Sequence, residues 1–219
     1  MHVLSAMNHS AAHHGDHPLP DEQLAHNVRV GAERSDMIAA AVRSRLDDPS
    51  TLTVLDYGCG PGHVGLRLAG AFARVVLADV DAQALDLARA AATGDPSVEV
   101  RELDLTRGVP EGLRADVVVS SMSWHHIRDL DAVADALVRV APGGRLFVAD
   151  LDADGGAYHR DVDGFDGHDG FDRPALAARL ARRGYSDVVV EDLWCGARYT
   201  RSGLAPLSVF LLTARIPEV

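Results

Sequence analysis

The chain has 219 residues, a formal net charge of −11 and 47% hydrophobic residues, which is the composition of an ordinary globular protein. All 21 basic residues are arginines, so chemistry that needs a lysine, such as a Schiff base, is excluded. The acidic balance and the lack of a basic cluster argue against a nucleic-acid partner. No apolar run approaches the roughly 20 residues that span a bilayer, and no signal peptide is evident. We therefore expect a cytoplasmic protein without a membrane partner.

Residues 1–20 are polar and rich in histidine, which predicts a disordered tail ahead of a single domain over residues 21–219. The tail histidines could chelate a metal, but nothing downstream completes a site, so we expect no functional metal. They are His2, His9, His13, His14 and His17. The two cysteines, Cys59 and Cys195, lie far apart in the sequence and are expected to be reduced.

The order of apolar patterns along the chain indicates the fold class. Helical spacing over residues 21–47 predicts an N-terminal helical cap. Short β-branched runs then alternate with helical stretches, among them a helix predicted over residues 62–72, and this alternation predicts a parallel sheet covered on both faces. Residues 152–172 are rich in Gly and Asp and predict a long functional loop on the substrate side. Two final strands without a helix between them must pair antiparallel.

The stretch VLDYGCGPGHVG, residues 54–65, is the clearest ligand-binding signal. A glycine-rich turn between a strand and a helix lets the backbone approach a ligand closely. Gly60, Gly62 and Gly65 have the spacing of a dinucleotide fingerprint, and Asp79 follows at the distance expected of a ribose-binding acid. On this pattern alone, NAD is a candidate ligand.

Three features favour a different ligand. Asp56 stands two residues ahead of Gly58, and its negative charge would repel a pyrophosphate but suit an ammonium or sulfonium group. Pro61 has no N–H to offer a phosphate. The chain also lacks lysine and ends in a strand pair rather than in a nicotinamide-binding half.

Four segments resemble those of class I S-adenosylmethionine-dependent methyltransferases: VLDYGCGPG, VVLADVD, VEVRELDL and ADVVVSSMSWHH. They follow one another in register, and the resemblance covers roughly residues 30–214. It implies an α/β, Rossmann-like methyltransferase fold with a mostly parallel seven-stranded sheet and a C-terminal antiparallel strand pair. It also implies methyl transfer from S-adenosylmethionine to an oxygen or nitrogen of a small-molecule acceptor, with S-adenosylhomocysteine as product.

The resemblance assigns cofactor roles to individual residues. The glycines would lie alongside the methionine part, with Asp56 near its amino group, and Asp79 would accept both ribose hydroxyls. Asp104 would accept from the adenine amino group, Leu105 would cover the ring and offer a backbone N–H, and Ser120 would lie near the methyl donor. Asp81 also could bind the ribose, but its position favours a helix cap. The predicted cofactor set is Asp56, Gly58, Cys59, Gly60, Gly62, Asp79, Val80, Asp104, Leu105 and Ser120.

Histidines and a tryptophan mark the predicted acceptor side. Trp124, His125 and His126 follow the fourth strand, where family members face the acceptor, so any of the three could meet the substrate. We predict Trp124 and His125 as the contacts and His125 as the general base. Alternatively, the indole packs in the core and one imidazole caps a helix. Residues 150–170 resemble a loop of a small-molecule methyltransferase subgroup, so His159 and His168 are also predicted to bind substrate. The loop acids have calcium-loop spacing, but a strand precedes them where that motif requires a helix.

Two other functions stay open at this stage. One is a protein that binds S-adenosylmethionine or S-adenosylhomocysteine without methylating, because binding motifs do not establish chemistry. The other is an NAD-dependent oxidoreductase. The composition, rich in alanine and arginine, is typical of a GC-rich bacterial genome. The sequence leaves the acceptor and the oligomeric state open.

Overall fold

The computed structural model describes residues 19–218, so the tail predicted over residues 1–20 lies almost wholly outside the described residues. The helices are α1 (Asp21–Arg43), α2 (Gly65–Leu68), α3 (Ala82–Ala91), α4 (Leu130–Val140) and α5 (Arg173–Ala181). The strands are β1 (Thr53–Tyr57), β2 (Arg74–Asp79), β3 (Val98–Glu102), β4 (Val117–Ser121), β5 (Arg145–Leu151), β6 (Ser186–Thr200) and β7 (Gly203–Arg215). None of the helices between residues 19 and 218 has the length and apolar character needed to cross a bilayer.

The strands form one seven-stranded sheet in the order β3-β2-β1-β4-β5-β7-β6. The first five strands are parallel, and β7 pairs antiparallel with both β5 and β6. Strand order reverses between β1 and β4, and ligands bind outside the carboxyl ends of the strands at such a point. The predicted α/β fold with a C-terminal antiparallel pair is therefore confirmed.

Apolar side chains cover both faces of the sheet, as its near-continuous β-branched strands require. On one face α4 and α5 pack over a core that contains Leu137 and Phe210. On the other face α1 and α3 pack over a core that contains Ile38 and Phe147. All four of these side chains are fully buried, so the strand ends are held rigidly from both sides.

The helix predicted over residues 62–72 is wrong in extent. Only one turn, α2, is helical, and turns occupy the residues before it. Gly70 follows the C-cap of α2 with a φ of +79°, a left-handed conformation that ends the helix. The N-terminal helix likewise ends at Arg43, whereas helical spacing continued to residue 47.

The N-terminal helix α1 packs against the end of β6 that is nearest to the β6–β7 turn. The Asn27 amide donates to the carbonyl of Tyr199 at 2.8 Å and accepts from the Tyr199 backbone N–H at the same distance. A ring nitrogen of His26 lies 2.9 Å from the carbonyl of Ala197. These contacts fix α1 beside the carboxyl ends of the strands, where it forms one wall of a cavity.

Candidate active site

A cavity of about 890 Å³ lies at the carboxyl ends of β1, β2 and β4. Its floor is the glycine loop and the end of β2, and α1 forms one side. The rest of the wall contains residues 103–104, 106, 121–123, 126–129, 158, 166 and 198. The volume is sufficient for a nucleoside-sized ligand and a small second molecule.

The glycine loop has a backbone that only glycine adopts readily. Gly58, Gly60 and Gly62 have φ angles of +73°, +53° and +85°. A Cβ on Gly58 would lie 1.9 Å from the hydroxyl oxygen of Ser123, and one on Gly62 would lie 2.9 Å from a methyl of Leu77. At Gly60 no atom lies within 4 Å of that position. Gly60 therefore presents bare backbone to the cavity, whereas Gly58 and Gly62 are glycines because neighbouring side chains fill the space.

Asp56, at the end of β1, is 1% exposed and borders the cavity. Its Oδ2 accepts a hydrogen bond from the backbone N–H of Gly65 at 2.8 Å. Its Oδ1 is buried and has no partner within residues 19–218. Burial and, to a smaller extent, the charge of Asp79 raise the pKa of Asp56 to about 7, although the Gly65 hydrogen bond opposes the change. A cationic ligand group would satisfy the unpartnered oxygen.

Asp79 joins the glycine loop to the turn after β2. Its Oδ2 accepts from the N–H of Gly60 at 2.7 Å, and its Oδ1 accepts from the N–H groups of Val80 and Asp81 at 2.7 and 3.0 Å. The carboxylate borders the cavity, as does Val80, which is 59% exposed. Asp81 accepts from the N–H of Gln83 at 2.8 Å and caps α3, as predicted.

The predicted adenine-binding residues make internal contacts. Asp104 borders the cavity, and its Oδ1 accepts from the N–H and hydroxyl of Thr106 at 3.0 and 2.6 Å. Leu105 is buried outside the cavity wall, and its N–H donates to the Tyr57 hydroxyl at 3.2 Å. The Ser120 hydroxyl donates to the Tyr57 carbonyl at 2.7 Å and is buried as well. The cofactor roles of Asp104, Leu105 and Ser120 stay predictions.

None of the four residues predicted to bind the acceptor lies in the cavity wall. Three of them, Trp124, His125 and His159, are buried. In His168 a ring nitrogen lies 3.0 Å from the Ile127 carbonyl. Their substrate roles stay predictions.

Other residues form the acceptor side of the wall, namely Arg34, His126, Tyr158 and Arg198. The sequence indicated only His126 among these four, as an alternative to Trp124 and His125 for contact with the acceptor. His126 and Tyr158 are adjacent in the sequence to the predicted residues His125 and His159, and for Tyr158 this adjacency is the only local signal. Arg34 and Arg198 carry no local signal, because only the packing of α1 on β6 brings them together.

Asp150, at the end of β5, holds the ring of His125. The His125 Nδ1 lies 2.5 Å from the Asp150 Oδ1, which also accepts from the N–H of Leu151 at 2.7 Å. Burial alone would raise the pKa of Asp150, but the charge and hydrogen bond of His125 and the backbone donors hold it below its ordinary value. The carboxylate accepts a hydrogen bond from Nδ1 of His125, so Nε2 is the ring nitrogen left to bind another partner.

The loop acids do not converge on a common point. Asp152 pairs with Arg173 through two contacts of 2.5 and 2.7 Å. Asp154 accepts from the N–H of Tyr158 at 2.7 Å, and Asp161 accepts from the N–H of Ser202 at 2.8 Å. The calcium-loop spacing therefore arises from acids that fix the loop to separate parts of the domain.

Comparison with known families identifies the domain. Residues 54–144 match a family described as a methyltransferase domain. The chain therefore carries a methyltransferase domain over residues 54–144. This family uses S-adenosylmethionine, and the match supports the predicted enzyme class. The methyltransferase domain match contains the glycine loop, Asp79, Asp104 and the SWHH segment.

The methyltransferase domain also resembles individual proteins. It is 32% identical over 123 residues to an uncharacterised methyltransferase of Schizosaccharomyces pombe. That alignment covers 50% of this chain and 42% of the yeast protein. It is 38% identical over 96 residues to the ribosomal protein L11 methyltransferase of Aliivibrio fischeri, which covers 43% of this chain and 32% of that protein. The matches thus span less than half the length of either relative.

A solved structure shares the fold of the methyltransferase domain. The magnesium protoporphyrin IX methyltransferase of Synechocystis PCC 6803, determined with bound S-adenosylhomocysteine, superposes with a TM-score of 0.63 at 20% identity. The superposition covers 92% of this chain and 90% of that one. At this identity the likeness concerns the fold.

Proposed function

We propose that this protein transfers the methyl group of S-adenosylmethionine to a small, negatively charged acceptor bound in the cavity. The observation that carries the proposal is the arrangement at the floor of the cavity. There the bare backbone of Gly60 lies beside two carboxylates, Asp56 and Asp79. The matched methyltransferase domain contains all three residues.

The two carboxylates suit the two ends of the cofactor. The unpartnered Oδ1 of Asp56 would accept from the ammonium of the methionine part, directly or through water. Asp79 already accepts three backbone hydrogen bonds, and a carboxylate has about four acceptor positions, so it can still accept from the ribose. The negative floor also disfavours a pyrophosphate, which supports S-adenosylmethionine over NAD.

Two arginines support a negatively charged acceptor. Arg34 and Arg198 both border the cavity, and within residues 19–218 neither forms an ion pair with a carboxylate. Burial lowers the pKa of the Arg34 guanidinium, whose Nε is buried without a partner in the same residues. A carboxylate or phosphate on the acceptor would compensate both charges. Because α1 borders the cavity, a small molecule suits it better than a protein surface.

The chemistry asks mainly for alignment. The acceptor atom forms a bond to the methyl carbon while the carbon–sulfur bond breaks, and the positive charge of the sulfonium disappears as its electron pair returns to sulfur. Exclusion of water by the bound acceptor would favour this loss of charge. The role of His125 as a general base stays a prediction. In this structure Asp150 orients the ring of His125, and the neighbouring His126, with its ring centre 4.2 Å away, borders the cavity.

Calorimetric titration of the ligand-stripped protein with S-adenosylmethionine, S-adenosylhomocysteine and NAD tests the cofactor. We expect micromolar binding of the first two and none of NAD, whereas binding of NAD alone would refute the proposal. Methyl transfer to a panel of small carboxylates and phosphates, with L11-type ribosomal protein as the protein acceptor, tests the acceptor class. Binding without transfer to any acceptor would indicate a protein that binds the cofactor without methylating.

A further inference from the structure

Three histidines converge beside the cavity, at a place where the proposed function needs only one. His125 and His126 form the short 3-10 turn after β4, and His159 comes from the loop between β5 and α5. One ring nitrogen from each can be chosen so that all three lie within 4.8 Å of one another. The ring centres are 4.2 to 5.4 Å apart.

The nitrogens at this place lack partners. Nε2 of His125 and both ring nitrogens of His159 are buried without a hydrogen bond to any of residues 19–218. A buried polar atom left unpaired destabilises the fold, so three together require an explanation. A ligand that accepts lone pairs from several imidazoles at once would satisfy them together.

The surroundings fix the rings as a metal site requires. The carboxylate of Asp150 holds Nδ1 of His125, which leaves Nε2 as the free donor, and metal-bound histidines almost always have such a partner. Phe165 stacks on His159 with ring centres 3.6 Å apart and planes inclined by 7°. The edge of Tyr158 contacts the other side of the cluster, 4.7 Å from His159.

We propose that His125, His126 and His159 bind one divalent transition-metal ion of the zinc class, with a coordination position open toward the cavity. Imidazole nitrogens select Zn²⁺ and its neighbours rather than Mg²⁺ or Ca²⁺, which prefer oxygen ligands. Three protein ligands and one open position are the arrangement of catalytic zinc sites. His126 is the member that borders the cavity, so the open position lies on that side.

Closure of the site needs only a small movement. Metal–nitrogen bonds of about 2.0–2.1 Å place tetrahedral ligand nitrogens about 3.3 Å apart, so the widest pair must approach by roughly 1.5 Å. The side chain of His126 is exposed and can make most of this adjustment. The open position would take a water, hydroxyl or thiol, and a metal-bound group of this kind loses its proton at a lower pH.

The experiment measures metal binding in the full-length protein. The five tail histidines are replaced by glutamine, because they can chelate metal independently. The chelator-treated protein is titrated with Zn²⁺ by calorimetry and with Co²⁺ by visible absorption, and the bound metal is counted after dialysis. We expect one ion per chain and the intense visible bands of tetrahedral Co²⁺. A tail variant that binds no ion would overturn the proposal.

Matched histidine variants locate the ion. His126→Asn and His159→Asn, both in the tail variant, should weaken binding at least 100-fold, while His168→Asn should retain the ion. Equal binding by all three variants would also overturn the proposal. If His159→Asn does not fold, metal binding by His126→Asn is the test, because His126 is exposed and its replacement should leave the fold intact. Titration with S-adenosylmethionine on the same samples separates the two proposals, because cofactor binding is measured independently of the metal.

Discussion

Replacement of Asp56 by asparagine should stabilise the free protein and weaken cofactor binding. The carboxyl is fully buried, and its pKa rises from 3.8 to about 7 on folding. Between these pH values the folded state binds a proton that the unfolded state has released. The contribution of Asp56 to the free energy of unfolding is therefore most favourable below pH 3.8 and is lost as the pH rises through 7. The loss amounts to about 4 kcal/mol above pH 7 and to about 2 kcal/mol at pH 5. Asparagine keeps an acceptor for Gly65 and carries no charge, so the variant should escape this loss.

The assay is urea unfolding of both proteins, without ligand, at pH 5 and pH 8. The difference in free energy of unfolding, variant minus wild type, should increase by a few kcal/mol between these pH values. As a control, the exposed Asp86 is changed to asparagine, which should alter the stability by less than about 0.5 kcal/mol. A difference that does not change with pH would refute the reasoning about the buried charge.

Cofactor binding by the same variant should move in the opposite direction. Loss of a charge-assisted hydrogen bond to the ammonium costs about 1.5–3 kcal/mol, which corresponds to about 10- to 100-fold weaker binding. In the wild type, affinity should rise between pH 6 and pH 8 as Asp56 loses its proton, and the variant should show no such rise. Equal affinity of the two proteins at pH 8 would place the ammonium elsewhere.

Four further substitutions probe the cavity floor and wall. Gly60→Ala should cost only about 1 kcal/mol of stability, but its methyl group would enter the open cavity and should weaken cofactor binding at least tenfold. In Gly58→Ala the new methyl group would clash with the Ser123 side chain, so this variant should lower the melting temperature more. Asp79→Asn removes the negative charge and replaces one of the two oxygens that accept from three N–H groups, so calorimetry should show about 100-fold weaker cofactor binding. Unchanged binding would exclude a ribose role. Arg34→Met should raise the KM for a negatively charged acceptor about tenfold while cofactor affinity stays constant, and an unchanged KM would remove the reason for proposing such an acceptor.

Local patterns were sufficient to locate the floor of the cavity. The alternation of strands and helices predicts a parallel sheet, in which the structure places the ends of β1 and β2 side by side, and the glycine loop and Asp79 stand out by their spacing. The helix over residues 62–72 was wrong because periodicity does not register the left-handed Gly70 that ends α2 after one turn. Local sequence also cannot show that the Leu105 N–H is already bonded to Tyr57.

The acceptor half could not be predicted in the same way. Arg34 and Arg198 meet only because a helix near one end of the chain packs on the hairpin near the other. His159 lies beside His125 because hydrogen bonds to the loop aspartates, such as that from the Tyr158 N–H to Asp154, hold the loop against the 3-10 turn. Such contacts depend on long-range packing, and no spacing in the sequence encodes them.

The cavity is assembled from two parts that can change separately. The floor comes from one continuous stretch inside residues 54–144, the part shared with other methyltransferase domains. Arg34, Tyr158 and Arg198 come from α1, the loop and β6, which all lie outside that stretch. A chimera that takes these three segments from a relative should therefore acquire the acceptor preference of that relative. Its affinity for S-adenosylmethionine should stay that of the parent protein. Likeness within residues 54–144 therefore concerns the floor and only one part of the acceptor side, because three of the four acceptor-side residues lie outside it.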